Sequence, residues 1–270
     1  MTNNEPIIRF KNVTKAFDRR VVLNAVNLEV AVGKITVVIG PSGCGKSVLL
    51  KHIVALIRPD KGKVFFQDQE VSALGERDLV PIRRQIGFLF QGSALFDSMT
   101  VENNICFPLI ETGGPWNDPD ACRQRCREVL SLVGLDGAQN RYPEELSGGE
   151  KKRVALARAI TMNPKVILYD EPTTGLDPIR SDLINELILK LKDTLGNTAV
   201  VVTHDMASTR KIADRIVMLY QGRFIADMTV ETLGRVDNEI VARFVEGRAS
   251  EEELAQLRTG RVDVQPSAPR

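Results

Sequence analysis

The stretch Gly40-Pro41-Ser42-Gly43-Cys44-Gly45-Lys46-Ser47 has the spacing G-x-x-x-x-G-K-S. Glycines let a backbone curl so that successive N–H groups point at one centre, which is a way to hold phosphate oxygens. The apolar run Ile35–Ile39 leads into the loop and a helical pattern leaves it from Ser47. The loop would therefore open a helix, whose N-terminus adds partial positive charge. In that setting Lys46 would reach the β- and γ-phosphates of a nucleotide, and the Ser47 hydroxyl would ligate Mg2+. A plain glycine-rich turn is the simpler alternative, and the flanking strand and helix weigh against it.

A second run, Val166-Ile167-Leu168-Tyr169-Asp170-Glu171-Pro172, is an apolar strand ending in two carboxylates. Ligands of open α/β sheets bind at the carboxyl ends of the strands. Asp170 fits a carboxylate that holds Mg2+, which leaves Glu171 free to orient and deprotonate an attacking water. Many strands run into acidic loops, so this pair gains its meaning from the phosphate loop beside it.

Leu146-Ser147-Gly148-Gly149-Glu150 precedes the helical run Lys151–Ile160. It reads as a nest opening a helix, a second anion site, or as a simple N-cap at Ser147. Further marks stand in a telling order: Phe17 early, Gln91 after Gly87–Phe90, Gly175-Leu176-Asp177-Pro178, and His204 after Val200–Thr203. Taken together, residues 7–228 resemble the ATP-binding cassette (ABC) ATPases.

That resemblance implies an α/β fold: a P-loop NTPase cassette with a RecA-like parallel-sheet core, an antiparallel β addition and a helical subdomain at about 92–165. It implies ATP and Mg2+ as ligands. Glu171, Gln91 and His204 are the implied catalytic residues. Nucleotide contacts fall to Phe17, which would stack on adenine, to Gly40, Pro41, Ser42, Gly43, Cys44, Gly45, Lys46, Ser47 and Val48, and to Ser147, Gly148, Gly149 and Asp177. Ser47, Gln91 and Asp170 are the implied metal ligands. Two positions depart from the usual pattern. Val48 stands where many members have a second hydroxyl, leaving only its N–H for phosphate. Glu150 stands where Gln is commonest, with an unchanged backbone role, so activity is expected to survive.

The elements that must position these groups follow from the apolar pattern. Strands are expected at Ile7–Val13, Leu28–Val30, Ile35–Gly40, Val64–Gln67, Ile86–Phe90, Val166–Asp170, Ala199–Thr203, Arg215–Tyr220 and Arg223–Asp227. Helices are expected at Ser47–Leu56, Asp120–Val133, Gly149–Met162 and Ser181–Leu195, the last stopped by Gly196. Strand–helix alternation predicts a largely parallel sheet, with the short early and late strands added antiparallel. Residues 229–270 read as a helical extension with Ile240, Val241, Phe244 and Val245 on one face, ending in a polar, disordered tail. That face would pack on its own cassette or on a partner subunit.

Composition bounds the function. The chain has 270 residues, 36 Lys+Arg against 35 Asp+Glu, and a formal charge of +1. So even a balance argues against a nucleic-acid coat, and no nucleic-acid partner is expected. No run approaches a membrane span, and Met1–Pro6 has no signal-peptide character. The cysteines at 44, 106, 122 and 126, with two histidines and no C-x-x-C, read as reduced thiols rather than a metal site.

By resemblance, two cassettes close head to tail on ATP, so a homodimer is implied. A transporter subunit without spans implies a separate integral membrane permease and a peripheral place on the cytoplasmic face of the inner membrane. The apolar segment Gly92–Ile110 would receive the permease's coupling helix or pack the helical insertion internally. Gly45–Ile53 and Phe90–Val101 resemble the ATPases of Mla-type phospholipid transporters, which work with a permease and an MCE-domain protein. The alternatives are an importer ATPase for another substrate and a soluble ABC ATPase such as a cluster-assembly scaffold component.

Overall fold

The computed structural model describes residues 5–112, 118–249 and 254. The chain divides into two compact units, with the boundary between Val230 and Glu231.

The first unit is built around a six-stranded sheet. Its strands are β3 (Ile35–Ile39), β6 (Ile86–Leu89), β7 (Val166–Asp170), β8 (Thr198–Thr203), β9 (Arg215–Tyr220) and β10 (Arg223–Met228). They lie in the order β10-β9-β3-β8-β7-β6. Every residue of β3, β7 and β8 is buried, as expected of strands covered on both faces. β3 runs parallel to β8 and β9, and β7 parallel to β6 and β8. Only β10 is antiparallel in this sheet, so of the two late strands expected to be an antiparallel addition, β9 belongs to the parallel core.

A second, antiparallel sheet has the order β2-β1-β4-β5, from β1 (Ile8–Phe17), β2 (Arg20–Val30), β4 (Lys61–Phe66) and β5 (Gln69–Glu70). Its first strands are longer than their apolar cores suggested. β2 spans 11 residues rather than the three expected, because its exposed stretch pairs with β1 back to a tight Phe17–Arg20 hairpin. Phe10, Leu23 and Val64 from this sheet join Leu49, Leu50, Val200 and Val202 in one hydrophobic core. That core fixes the antiparallel sheet against the phosphate-loop helix, α1 (Lys46–Ile53).

Further helices are α2 (Glu76–Arg83), α3 (Val101–Thr112), α4 (Pro119–Leu132), α5 (Gly148–Ile160), α6 (Pro178–Leu195) and α7 (Met206–Ile212). α3, α4 and α5 contact one another and form the helical cluster inserted between β6 and β7. Cys106, Cys122 and Cys126 are buried free thiols there. Burial pushes the Cys122 thiol up to about 12, so it stays protonated. Val101, Ile105 and Leu109 are also fully buried, so this part of the apolar segment packs the insertion internally.

In the second unit, α8 (Glu239–Glu246) is capped by Asn238, which accepts from the N–H groups of Ile240 and Val241, and it ends at Gly247 with φ 66. The tail expected to be disordered, and Gly113-Gly114-Pro115, lie outside the described residues. No described helix is long and apolar enough to cross a membrane.

Candidate active site

Parallel register brings the expected groups to one edge of the sheet. Ile39 at the end of β3 is level with Thr203 at the end of β8, and Val202 is level with Asp170 at the end of β7. The loop after Ile39, the carboxylates at Asp170 and Glu171, and His204 therefore leave the sheet side by side.

The loop needs its glycines for space as well as dihedrals. A Cβ on Gly40 would stand 2.2 Å from the Leu219 carbonyl oxygen. Gly45 has φ 109, and a Cβ there would meet Val22 of β2 at 2.9 Å. Lys46 folds back over this loop, its Nζ donating to the carbonyls of Gly40 at 2.8 Å and Pro41 at 3.2 Å. It is 6% exposed, and its ammonium is 3.4 Å from Glu171 Oε1. Ser47 Oγ donates to Asp170 Oδ1 at 2.7 Å. Burial pushes the Asp170 carboxyl above its usual range, with the Ser47 hydrogen bond pulling the other way. A hydroxyl and a carboxylate this close form a hard-oxygen pair that suits Mg2+, which is typically held by one or two carboxylates together with phosphate oxygens.

Glu171 is the most connected residue of the cluster. It is buried, and its backbone is left-handed, with φ 50. For a non-glycine residue that conformation costs about 1–2 kcal/mol and has to be held by its surroundings. Its N–H donates to the Val202 carbonyl at 2.9 Å. On its carboxylate, Oε2 lies 2.9 Å from His204 Nδ1 and accepts from Thr174 Oγ1 at 3.1 Å and Thr203 Oγ1 at 3.4 Å. His204 is half exposed, so it can meet a ligand on its outer side.

Other expected residues lie farther from this cluster. Gln91 is exposed, and its backbone ties it to the cluster: its carbonyl accepts from Lys152 Nζ at 3.4 Å. Phe17 ends β1 with its ring 42% exposed and Lys15 Nζ 5.3 Å from the ring centroid. That leaves an exposed aromatic ring at the end of β1. Cys44 is partly buried, and burial raises its thiol above the usual range. Ser42, Gly43 and Val48 complete the loop and the first turn of α1.

Ser147, Gly148 and Gly149 open α5 as expected, by a capping box. Ser147 Oγ caps the Glu150 N–H, while the Ser147 N–H donates to Glu150 Oε2 at 2.8 Å. Glu150 thus acts through its side chain as well as its backbone, a correction to the expected backbone role alone. Arg141 Nη1 holds the other oxygen at 2.8 Å. With the Ser147 hydroxyl and N–H and then Arg141 lowering it, the Glu150 carboxyl sits at about 2. Asp177 caps α6, accepting from the Arg180 N–H at 2.9 Å. Gly148 faces Leu176 and Gly149 faces Arg180, so the two motifs adjoin. Among the described residues, no hydrogen bond or ion pair joins Ser147–Gly149 to the loop Gly40–Ser47.

Sequence reasoning missed two residues. Asn104 is fully buried and holds the turn before α3, accepting from the Phe96 N–H at 2.8 Å and donating to the carbonyls of Phe96, Met99 and Thr100. That turn leaves Phe96 40% exposed beside Phe107. The other is Lys152, a buried cation in a run of charges that reads as a solvated face.

A glycine-rich loop on a parallel strand, a hydroxyl–carboxylate pair and an adjacent buried glutamate define a P-loop nucleotide hydrolase. The family described as ABC transporter matches residues 23–174. The chain is 40% identical over 247 residues to the intermembrane phospholipid transport system ATP-binding protein MlaF of Haemophilus influenzae, covering 91% of this chain and 92% of that one. It is 39% identical over 263 residues to a methionine import ATP-binding protein MetN of Carboxydothermus hydrogenoformans, covering 95% of this chain and 77% of that one. A solved dimeric ATP-binding cassette in a post-hydrolysis state, with ADP and Pi bound, superposes with TM-score 0.76 at 36% identity, covering 83% of this chain and 98% of the other. The chain belongs to the ABC transporter family and is an ATP-binding subunit that hydrolyses ATP.

Proposed function

We propose that this subunit energises phospholipid transport from the cytoplasmic face of a bacterial inner membrane, as a homodimer with a separate permease and an MCE-domain protein. The observation that carries the reading is the pair of runs Gly45–Ile53 and Phe90–Val101, which resemble the ATPases of Mla-type phospholipid transporters. The 40% identity to the phospholipid-transport relative over 91% of this chain supports it, although the methionine-import relative is almost as similar.

In this reading the loop Gly40–Ser47, Lys46 and the α1 N-terminus bind the ATP phosphates, and Phe17 stacks on the adenine. Ser47 and Asp170 hold Mg2+, with Gln91 as a further ligand; the ion supplies charge neutralisation at the phosphates. Glu171 takes the proton of the attacking water, its carboxylate oriented by His204, Thr174 and Thr203. Lys46 contacts Glu171 directly, so phosphate drawing on Lys46 would release the carboxylate for that task. Ser147, Gly148, Gly149 and Asp177 serve the site of the partner copy, a reading supported by the dimeric cassette that this chain resembles. Phe96, held outward by Asn104, meets the permease.

The test is to isolate the assembled complex from cells and measure lipid movement between membranes with and without ATP, with Glu171→Gln as the control. ATP-dependent phospholipid transfer is expected. A complex that moves amino acids or ions and no phospholipid would overturn the lipid reading and leave the ABC ATPase in place.

A further inference from the structure

Lys152 has no part in the chemistry assigned above, yet its position joins three segments of the site. It lies on α5, five residues after Ser147, and is 6% exposed. Its Nζ donates to the Glu171 carbonyl at 3.3 Å and to the Gln91 carbonyl at 3.4 Å. Both acceptors are backbone atoms at unusual turns. Glu171 itself is left-handed, and two residues beyond Gln91 the loop turns through Ser93 and Ala94, with φ 63 and 51.

A residue that only filled this space would be apolar, because a buried ammonium loses its hydration. Burial does lower the pKa of Lys152, while the facing carboxylates Glu171 and Asp170 favour its charge. Arg158, farther along the same helix, also holds the Gln91 loop. Its Nη2 donates to the Ser93 carbonyl at 3.1 Å, and its guanidinium lies 5.7 Å from the Phe96 ring centroid. The helix therefore grips that loop twice, and at Lys152 the same atom also grips the backbone of Glu171.

We propose that Lys152 is a positioning residue for ATP hydrolysis, clamping the backbone of Glu171 to that of Gln91 so that the base is placed only when the Gln91 loop is placed. The proposal rests on Glu171 being the general base. It makes α5 a rigid arm between the Ser147 end and the hydrolytic end of the subunit. Displacement of the Phe96 turn would reach Glu171 through the half-buried Arg158 and the buried Lys152, without any change in the phosphate loop.

The experiment compares the full-length chain with Lys152→Met, Lys152→Arg and Glu171→Gln, measuring kcat, KM for Mg-ATP and thermal midpoint. Methionine keeps length and removes the donor. Lys152→Met should lower kcat roughly ten- to a hundredfold, the scale expected of a misplaced catalytic group. KM should stay within about twofold. The thermal midpoint should fall by no more than a few degrees, because the Gln91 and Glu171 carbonyls lose a donor while the two carboxylates keep theirs, and activity is measured well below it. Lys152→Arg should recover part of kcat. A folded Lys152→Met with parental kcat, a loss confined to KM, or an arginine variant no better than methionine would each overturn the proposal. If the methionine variant does not fold, Lys152→Gln, whose amide is one atom shorter than the lysine ammonium and cannot bridge both carbonyls, carries the same comparison: reduced kcat at unchanged KM supports the clamp and unchanged kcat overturns it. Normal turnover in Glu171→Gln would remove the base assignment and this proposal with it. An inactive Glu171→Gln beside a fully active Lys152→Met would remove the clamp alone.

Discussion

Ser47 Oγ and Asp170 Oδ1 are 2.7 Å apart although the residues are 123 positions apart in the chain. Both stand at the carboxyl edge of the parallel sheet, where β3 and β7 flank β8. Asp170→Asn keeps the shape and removes the charge that would hold the metal. Its ATPase rate should fall roughly a hundredfold or more, and more free Mg2+ should be needed for half-maximal activity. A titration of rate against Mg2+ checks this, and an unchanged midpoint would count against the pair as metal ligands.

Glu171→Gln should bind ATP normally and lower hydrolysis roughly 10²–10⁴-fold. It should also accumulate as an ATP-bound dimer, visible by size-exclusion chromatography with ATP present. Lys46→Ala should instead weaken nucleotide binding, because the phosphate clamp is lost. Near-normal turnover of purified Glu171→Gln would sink the assignment of the base.

If Ser147–Gly149 serves the phosphate loop of a partner copy, as proposed, the two halves of one site come from two chains. Lys46→Ala and Ser147→Arg should each be inactive as pure homodimers. Mixed dimers should regain one working site, since one interface holds both lesions and the other holds neither. ATPase assays after subunit exchange measure this, and no recovery in proven heterodimers would argue against sharing.

Glu150 links the start of α5 to pH. Its folded pKa of about 2 lies below the ordinary value of 4.5. The stability it contributes is therefore complete above that ordinary value and lost as pH falls through the folded one. Glu150→Gln should cost about 1 kcal/mol near neutral pH. The deficit should narrow as pH is taken from about 6 to about 3. Urea unfolding of both proteins across that range reads the difference, and a deficit independent of pH would show that the carboxylate charge is not its source.

Much of the site was legible in the sequence because its parts are local. A glycine-rich loop, an acidic strand end and a capping box are each written in consecutive residues that set their own backbone conformations. The same holds for β3, β7 and β8, whose unbroken apolar runs announce strands covered on both faces. α2 and α3 were harder to see. Pro81 and Pro108 sit inside them, and an interior proline reads as a helix breaker. The exposed part of β2 was also hidden, because its strand state comes from pairing with β1 rather than from burial.

The sequence by itself determined the class of chemistry: a phosphate-binding loop, a carboxylate for a metal and a carboxylate for water. Only the tertiary structure decided how these groups meet. Sheet order and register put Ser47 on Asp170 and Glu171 on His204, and neither is encoded in any one segment. Burial of Lys152 is likewise invisible in a run of charged residues. The side chain becomes a clamp because α5 packs where the backbone carbonyls of Glu171 and Gln91 converge on its ammonium, and a charge taken out of water stays only where it meets such partners.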